Sequence, residues 1–147
     1  MKQSTVIKAT ITDVFDCLST AKMREMWFPN VTSIRYSNPM EEAKAGASFQ
    51  LAAAEGKEHV SLQGRNKDVT RPTFFAFEVE SQTYLMTFSY RLGQQGEHTL
   101  VQQEFKTKYH RPVMNIVDKL FKSSTKQTGE YVLKSLTEFC EARVRVE

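Results

Sequence analysis

The chain has 147 residues, of which 40% are hydrophobic and 25% charged, with a formal net charge of +3. That length fits one domain, residues 1–147, whose core needs neither a disulfide nor a metal to hold it, and the mild charge argues against nucleic-acid binding. Ten Phe against five Tyr and one Trp suit an interior that packs or encloses apolar material. No stretch approaches the ~20 apolar residues of a membrane span, and Met1–Thr5 lacks the apolar core of a signal peptide. A cytoplasmic chain without stable membrane insertion is expected.

In chain order, Gln3 to Ala9 reads as a strand centred on Thr5-Val6-Ile7. Thr10 or Thr12 can cap a short helix, with Asp13 at its positive end and Val14, Phe15 and Leu18 on its apolar face. It stops near Ser19-Thr20. A second short helix, Lys22 to Trp27, is ended by Pro29. From Val31 the period changes to two. Strands are expected at Val31–Tyr36, Ala47–Ala53, His59–Val69, Thr73–Ser81, Tyr84–Leu92 and Leu100–Tyr109, separated by Asn38-Pro39, Glu55-Gly56-Lys57, Arg71-Pro72 and a Gly93–Glu97 loop. Gly64 marks a bulge or close packing. Short polar turns between successive strands mean an antiparallel meander.

The last three strands alternate clearly. Phe75, Phe77 and Val79 share a face, opposite Phe74, Ala76, Glu78 and Glu80. Met86, Phe88, Tyr90 and Leu92 share another, and Val101, Gln103, Phe105 and Tyr109 a third. One face of such a sheet is covered and the other is wet. The cover is the C-terminal segment, where Pro112 suits the first turn of a helix. Val113, Ile116, Val117, Leu120, Phe121, Val132, Leu133, Leu136, Phe139 and Cys140 then recur at helical period as far as Arg143. About thirty helical residues reach ~45 Å, enough to cross a sheet diagonally. Gly129 is its weak point, where a bend is possible. From Lys106 to Glu147 nine Lys or Arg face five Asp or Glu, which reads as a solvated basic face or as a surface for an anionic partner.

Strand, two short helices, six strands, long helix is the order of a helix-grip domain. In Ile11-Thr12-Asp13-Val14-Phe15-Asp16-Cys17-Leu18-Ser19, in Met26-Trp27-Phe28-Pro29-Asn30-Val31, in the Arg71-Pro72 break before a Phe-rich strand and in the closing amphipathic helix, the chain resembles the SRPBCC superfamily of START, pollen-allergen and polyketide cyclase-like proteins. The resemblance covers nearly the whole chain. It implies an α+β fold in which a curved antiparallel sheet of six to seven strands wraps a long C-terminal helix, with two short helices after the first strand. It also implies a small apolar ligand of the lipid, quinone or polyketide kind, because members of the superfamily bind such molecules, some catalyse cyclisation or dehydration, and some regulate partner proteins. No catalytic motif is shared across the superfamily.

The residues themselves offer little chemistry. His59, His98 and His110 lie in separate segments without a second ligand at metal spacing, and no metal or cofactor is expected. His98 and His110 should be solvated, and His59 can reach a pocket. Cys17 and Cys140 each fall among apolar residues and read as buried reduced thiols. Glu78 and Glu80 share the wet face, and no catalytic residue is assigned. Lys106, Lys108 and Arg111 lie near Phe105 and Tyr109, but alternation sets the lysines on the opposite face from those rings, which argues against an RNA-stacking platform.

What remains is the aromatic inner face: Phe75, Phe77, Phe88, Tyr90, Gln103, Phe105 and Tyr109 on the sheet, with Val113, Val117 and Phe121 on the helix above. Such a stripe is either filled core or the wall of a cavity in which Tyr90, Gln103, Tyr109 and Asn66 orient a ligand. Three functions fit: binding of a small hydrophobic molecule, a cyclase or dehydratase in which Tyr90, Tyr109 or His59 moves protons, and a protein-interaction module working through the basic helix. A monomer or weak homodimer is expected.

Overall fold

The period-two patterning becomes a seven-stranded sheet in the computed structural model, which describes residues 2–55, 57–110 and 122–146. The elements are β1 (Lys2–Ile7), α1 (Ile11–Ser19), α2 (Ala21–Trp27), β2 (Val31–Tyr36), a 3-10 turn at Pro39–Glu41, β3 (Ser48–Glu55), β4 (Glu58–Thr70), β5 (Phe74–Glu80), β6 (Tyr84–Gln95), β7 (His98–Tyr109) and α3 (Lys122–Val146). The strands lie in the order β1-β7-β6-β5-β4-β3-β2, with every neighbouring pair antiparallel. Strands β2 to β7 form the expected meander. β1 closes the far edge against β7, so α1 and α2 carry the chain from one edge of the sheet to the other. α3 packs on the inner face through Val132, Leu133, Leu136 and Cys140. Its expected beginning near Pro112 lies outside the described residues.

Local chemistry explains the boundaries. Thr10 caps α1, its hydroxyl accepting the Asp13 N–H at 3.3 Å. Asn38 does the same for the 3-10 turn, accepting from Met40 N at 3.1 Å. The loop expected at 93–97 is shorter than its composition suggests. Gln95 pairs with His98, and Gly96 at φ 62° supplies the left-handed residue of a two-residue turn.

Register carries the inner face. Asn66, Phe77, Phe88 and Phe105 stand opposite one another across β4, β5, β6 and β7, and the next row is Phe75, Tyr90, Gln103 and Gln3 across β5, β6, β7 and β1. A bulge between Asn66 and Asp68 shifts β4 by one residue against β5. On the wet face, Glu78 pairs with Arg65 at 3.1 Å and Lys67 at 3.6 Å.

Two glycines are explained by close approach. A Cβ on Gly64 would overlap the Phe49 ring on the neighbouring strand, so Gly64 lets that ring lie flat on β4. A Cβ on Gly129 would meet the Gln3 side-chain amide at 2.6 Å, and the Gly129 carbonyl accepts from Gln103 Nε2 at 2.9 Å. The helix glycine therefore marks where α3 comes down onto β1 and β7. Gly64→Ala is expected to lower stability by ~1–3 kcal/mol through overpacking. Gly93→Ala, whose Cβ meets nothing within 4 Å, should change it by less than ~0.5 kcal/mol. Urea denaturation of the two variants beside wild type checks the contrast.

Candidate functional site

The row of phenylalanines set by the strand register forms a continuous stack. Phe77 lies on Phe88 with ring centroids 5.2 Å apart and planes at 19°, and Phe88 lies on Phe105 at 4.9 Å and 27°. Phe28, delivered by the end of α2, meets Phe88 edge-on at 5.0 Å and Phe77 at 6.0 Å. Beyond these rings a cavity of about 420 Å³ opens between the sheet and α3. Phe28, Met86, Phe88, Phe105 and Val132 make its apolar wall. Asn30, Gln127, Thr128 and the 62% exposed ring of Tyr131 line its polar parts, with Pro29 beside them. Among the described residues no charged side chain lines it. Its size falls within the ~300–1,000 Å³ of small-molecule sites. A second hollow, of about 520 Å³ between β1 and α3, carries the charged residues Glu130, Lys134 and Glu138 among its lining residues.

Behind the aromatic wall stands a charge. Arg24 on α2 is 0% exposed. Its Nη1 donates to the Leu18 carbonyl at 2.8 Å and its Nη2 to the Tyr36 hydroxyl at 2.5 Å. Tyr36 donates in turn to Asn66 Oδ1 at 2.7 Å, and Asn66 Nδ2 donates to the carbonyls of Glu42 and Lys44, each at 2.9 Å. The guanidinium lies over the rings of Phe77, Phe49, Phe75 and Tyr36 at 4.8, 5.2, 5.4 and 5.6 Å. Its Nε finds no acceptor among the described residues.

The residues expected on the inner face separate into groups. Phe88 and Phe105 line the cavity. Phe77 backs Phe88, while Phe75 packs edge-on against Phe15 at 6.0 Å in the core. Tyr90 and Gln103 are buried and committed to each other: the Tyr90 hydroxyl donates to Gln103 Oε1 at 2.8 Å, and Gln103 Nε2 donates to Gln3 and Gly129. Asn66 is held in the Arg24 network. Tyr109 stands half-buried at the end of β7, opposite Tyr84. Val113, Val117 and Phe121 lie outside the described residues. His59 is exposed and lines none of these cavities, because it shares the outward face of β4 with Ser61, Gln63 and Arg65. His110 is more than solvated, since its Nε2 contacts Glu80 at 3.1 Å. Among the described residues no group of three or more His, Cys, Asp or Glu is placed to hold a metal ion, and no helix is long and apolar enough to cross a membrane.

Sequence reasoning missed Arg24, the Phe28-Pro29-Asn30 corner and the meeting of the cysteines. The corner carried a signal in Pro29 followed by Asn30, which adopts φ 66° and turns the chain so that Phe28 enters the interior. Cys17 and Cys140, 1% exposed each, come together where α1 meets α3. The hydrogen bond with the neighbouring Cys17 sulfur, and then burial, hold the Cys140 thiol protonated, well above the ordinary thiol value.

No family model and no curated protein matches the sequence. Among solved structures, the chain superposes on TTHA0849 from Thermus thermophilus with a TM-score of 0.75 at 16% identity, covering 97% of each chain. It is similar to the Zhui aromatase/cyclase from Streptomyces sp. R1128, with a TM-score of 0.71, 14% identity, and 98% and 94% of the two chains covered. With Ara h 8.0201 the TM-score is 0.61 at 12% identity, over 92% of this chain and 95% of that one. At these identities the likeness is one of fold, and the expected helix-grip architecture is borne out: a curved seven-stranded antiparallel sheet around a long C-terminal helix.

Two buried tyrosines give the interior a pH signature. Burial pushes the Tyr90 hydroxyl well above its ordinary value near 10, and pushes Tyr36 upward too, with Arg24 opposing the shift in both. A tyrosine with a raised folded pKa holds its proton more tightly in the folded than in the unfolded state. Its contribution to stability is complete below about pH 10 and is lost as the pH rises above it. Unfolding free energy should therefore fall between roughly pH 10 and 12, and fall less in Tyr90→Phe. Denaturant titrations across that range, followed with tyrosinate absorbance, check it.

Proposed function

We propose that the chain binds a small, mostly apolar molecule in the cavity between the sheet and α3. The observation that carries this reading is a cavity of about 420 Å³ walled by three Phe rings, Met86 and Val132, with polar groups confined to Asn30, Gln127, Thr128 and the Tyr131 edge. The sharing of the fold with aromatase/cyclases supports a cavity of this kind. Burying ~300 Å² of ligand at ~25 cal/mol per Å² supplies ~7 kcal/mol before association costs, so binding on the micromolar scale needs no charged anchor. A lipid, quinone or polyketide-like molecule fits the apolar wall.

Binding is proposed ahead of catalysis because the candidate proton carriers are poorly placed for it. The Tyr90 hydroxyl is engaged by Gln103 and held protonated by burial, and His59 faces solvent. None of the three expected carriers, Tyr90, Tyr109 and His59, is among the residues that line the cavity.

The test uses a neutral fluorescent hydrophobe, N-phenyl-1-naphthylamine. Wild type should bind it saturably. Met86→Trp, which places an indole into the cavity from β6, should abolish binding while changing stability by less than ~1.5 kcal/mol, since the added volume enters empty space rather than packed core. No saturable binding by wild type, or unchanged binding by Met86→Trp, would remove the cavity from consideration.

A further inference from the structure

A buried ion ordinarily has a counter-ion within reach, because desolvating a charge is costly unless it is paired. Arg24 departs from this. Among the described residues it forms no ion pair; its acceptors are one carbonyl and one phenol, and its Nε has none. Glu25 on the same helix and Glu42 beyond the 3-10 turn each accept from a backbone N–H rather than from Arg24. Glu25 Oε1 accepts from Ile34 N at 2.7 Å, and Glu42 Oε2 accepts from Ala21 N at 2.9 Å.

This charge stands immediately behind the cavity. The guanidinium lies 4.8 Å from the Phe77 ring, and Phe77 stacks at 5.2 Å on Phe88, which lines the cavity. One ring therefore separates the cation from the wall. The medium between them is aromatic and dry, so the field is weakly screened. It also reaches β6, where it opposes the upward push of burial on the Tyr90 hydroxyl.

We propose that Arg24 is a specificity-determining residue for the cavity, selecting an apolar organic monoanion, a carboxylate or phenolate on a hydrophobic body, over its neutral isostere. This rests on the binding reading above and deepens it. The apolar body lies against Phe28, Phe88 and Phe105, and the acid group is drawn toward the α2 side, where Asn30 offers an amide. Arg24 acts through the wall, by charge and not by contact. An acid group resting on Phe88 stands ~13 Å from the guanidinium, and two unit charges that far apart at an effective dielectric near 20 change an equilibrium by close to tenfold.

The experiment compares 2-naphthoate with 2-naphthamide, which share a ring system and differ in charge, by isothermal titration calorimetry at about pH 7, where the carboxylate is ionised. In wild type the carboxylate should bind at least as tightly as the amide, although among the described residues no charged side chain lines the cavity. In Arg24→Met the carboxylate-over-amide ratio should fall about tenfold with amide affinity retained, and in Arg24→Lys it should stay near the wild-type value. A tighter amide in wild type, or a ratio unmoved by Arg24→Met, overturns the proposal and leaves the cavity standing. Absence of binding by both probes overturns the proposal, and overturns the binding reading with it where N-phenyl-1-naphthylamine also fails to bind. Should Arg24→Met fail to fold, Arg24→Gln, which removes the charge but keeps amide donors toward the Leu18 carbonyl and the Tyr36 hydroxyl, takes its place with the same expected fall, and an unmoved ratio overturns the proposal.

Discussion

A guanidinium without solvent, and without a counter-ion among the described residues, is the constraint around which the rest of this interior is arranged. Taking a cation out of water costs several kcal/mol even after relaxation. Here four ring faces, each worth up to ~2 kcal/mol where dry, and two charge-assisted hydrogen bonds of ~1.5–3 kcal/mol offset that cost. The groups that do so come from α1, β2, β3 and β5. Arg24 thereby fixes the short helices against the sheet. The Tyr36–Asn66 relay extends the hold to β4 and to the chain after the 3-10 turn.

The position of α2 in turn positions Phe28. Trp27 is locked at both ends, its indole N–H donating to the Cys17 carbonyl at 2.8 Å and its own carbonyl accepting from Ser135 on α3 at 2.5 Å. The next residue then has little freedom, and its ring lies edge-on to the Phe77–Phe88–Phe105 stack. The cavity exists because that stack is flat and continuous. Three rings in register on adjacent strands present a wall, while at Gly129, which has no side chain of its own, α3 comes down onto the Gln3 and Gln103 side chains. Close approach at the β1–β7 side and bulky rings toward β6 leave a gap between helix and sheet.

The same arrangement separates polar groups that stabilise from those that face the cavity. Tyr90, Gln103 and Gln3 form a polar chain across β6, β7 and β1, from which Gln103 reaches the Gly129 carbonyl and docks α3. Asn30, Gln127 and Thr128 stand on the cavity side. A polar residue on the covered face of a strand is thus as readily a strut as a binding group, and the difference lies in which partner stands across from it.

The elements themselves were legible along the chain. Alternation of Phe75, Phe77, Phe88, Tyr90, Val101 and Phe105 set the inner face, because a strand's period of two leaves no choice once one face is covered. Thr10, Pro29 and the helical recurrence from Val132 to Cys140 set where helices start, stop and pack. These are local rules, readable within a few residues. The site came only with the assembly of distant segments. Whether a phenylalanine is wall or filler depends on the register between strands and on the corner at Phe28–Asn30. Arg24 sat in a short polar helix segment, where local pattern assigns a cation to solvent. It is buried because Tyr36, Phe49, Phe75 and Phe77, from three other strands, converge to enclose it. Cys17 and Cys140, near opposite ends of the chain, meet for the same reason. Contacts between distant segments carry no periodic signature in a single chain, and burial of a charge runs against the pattern that makes the rest legible.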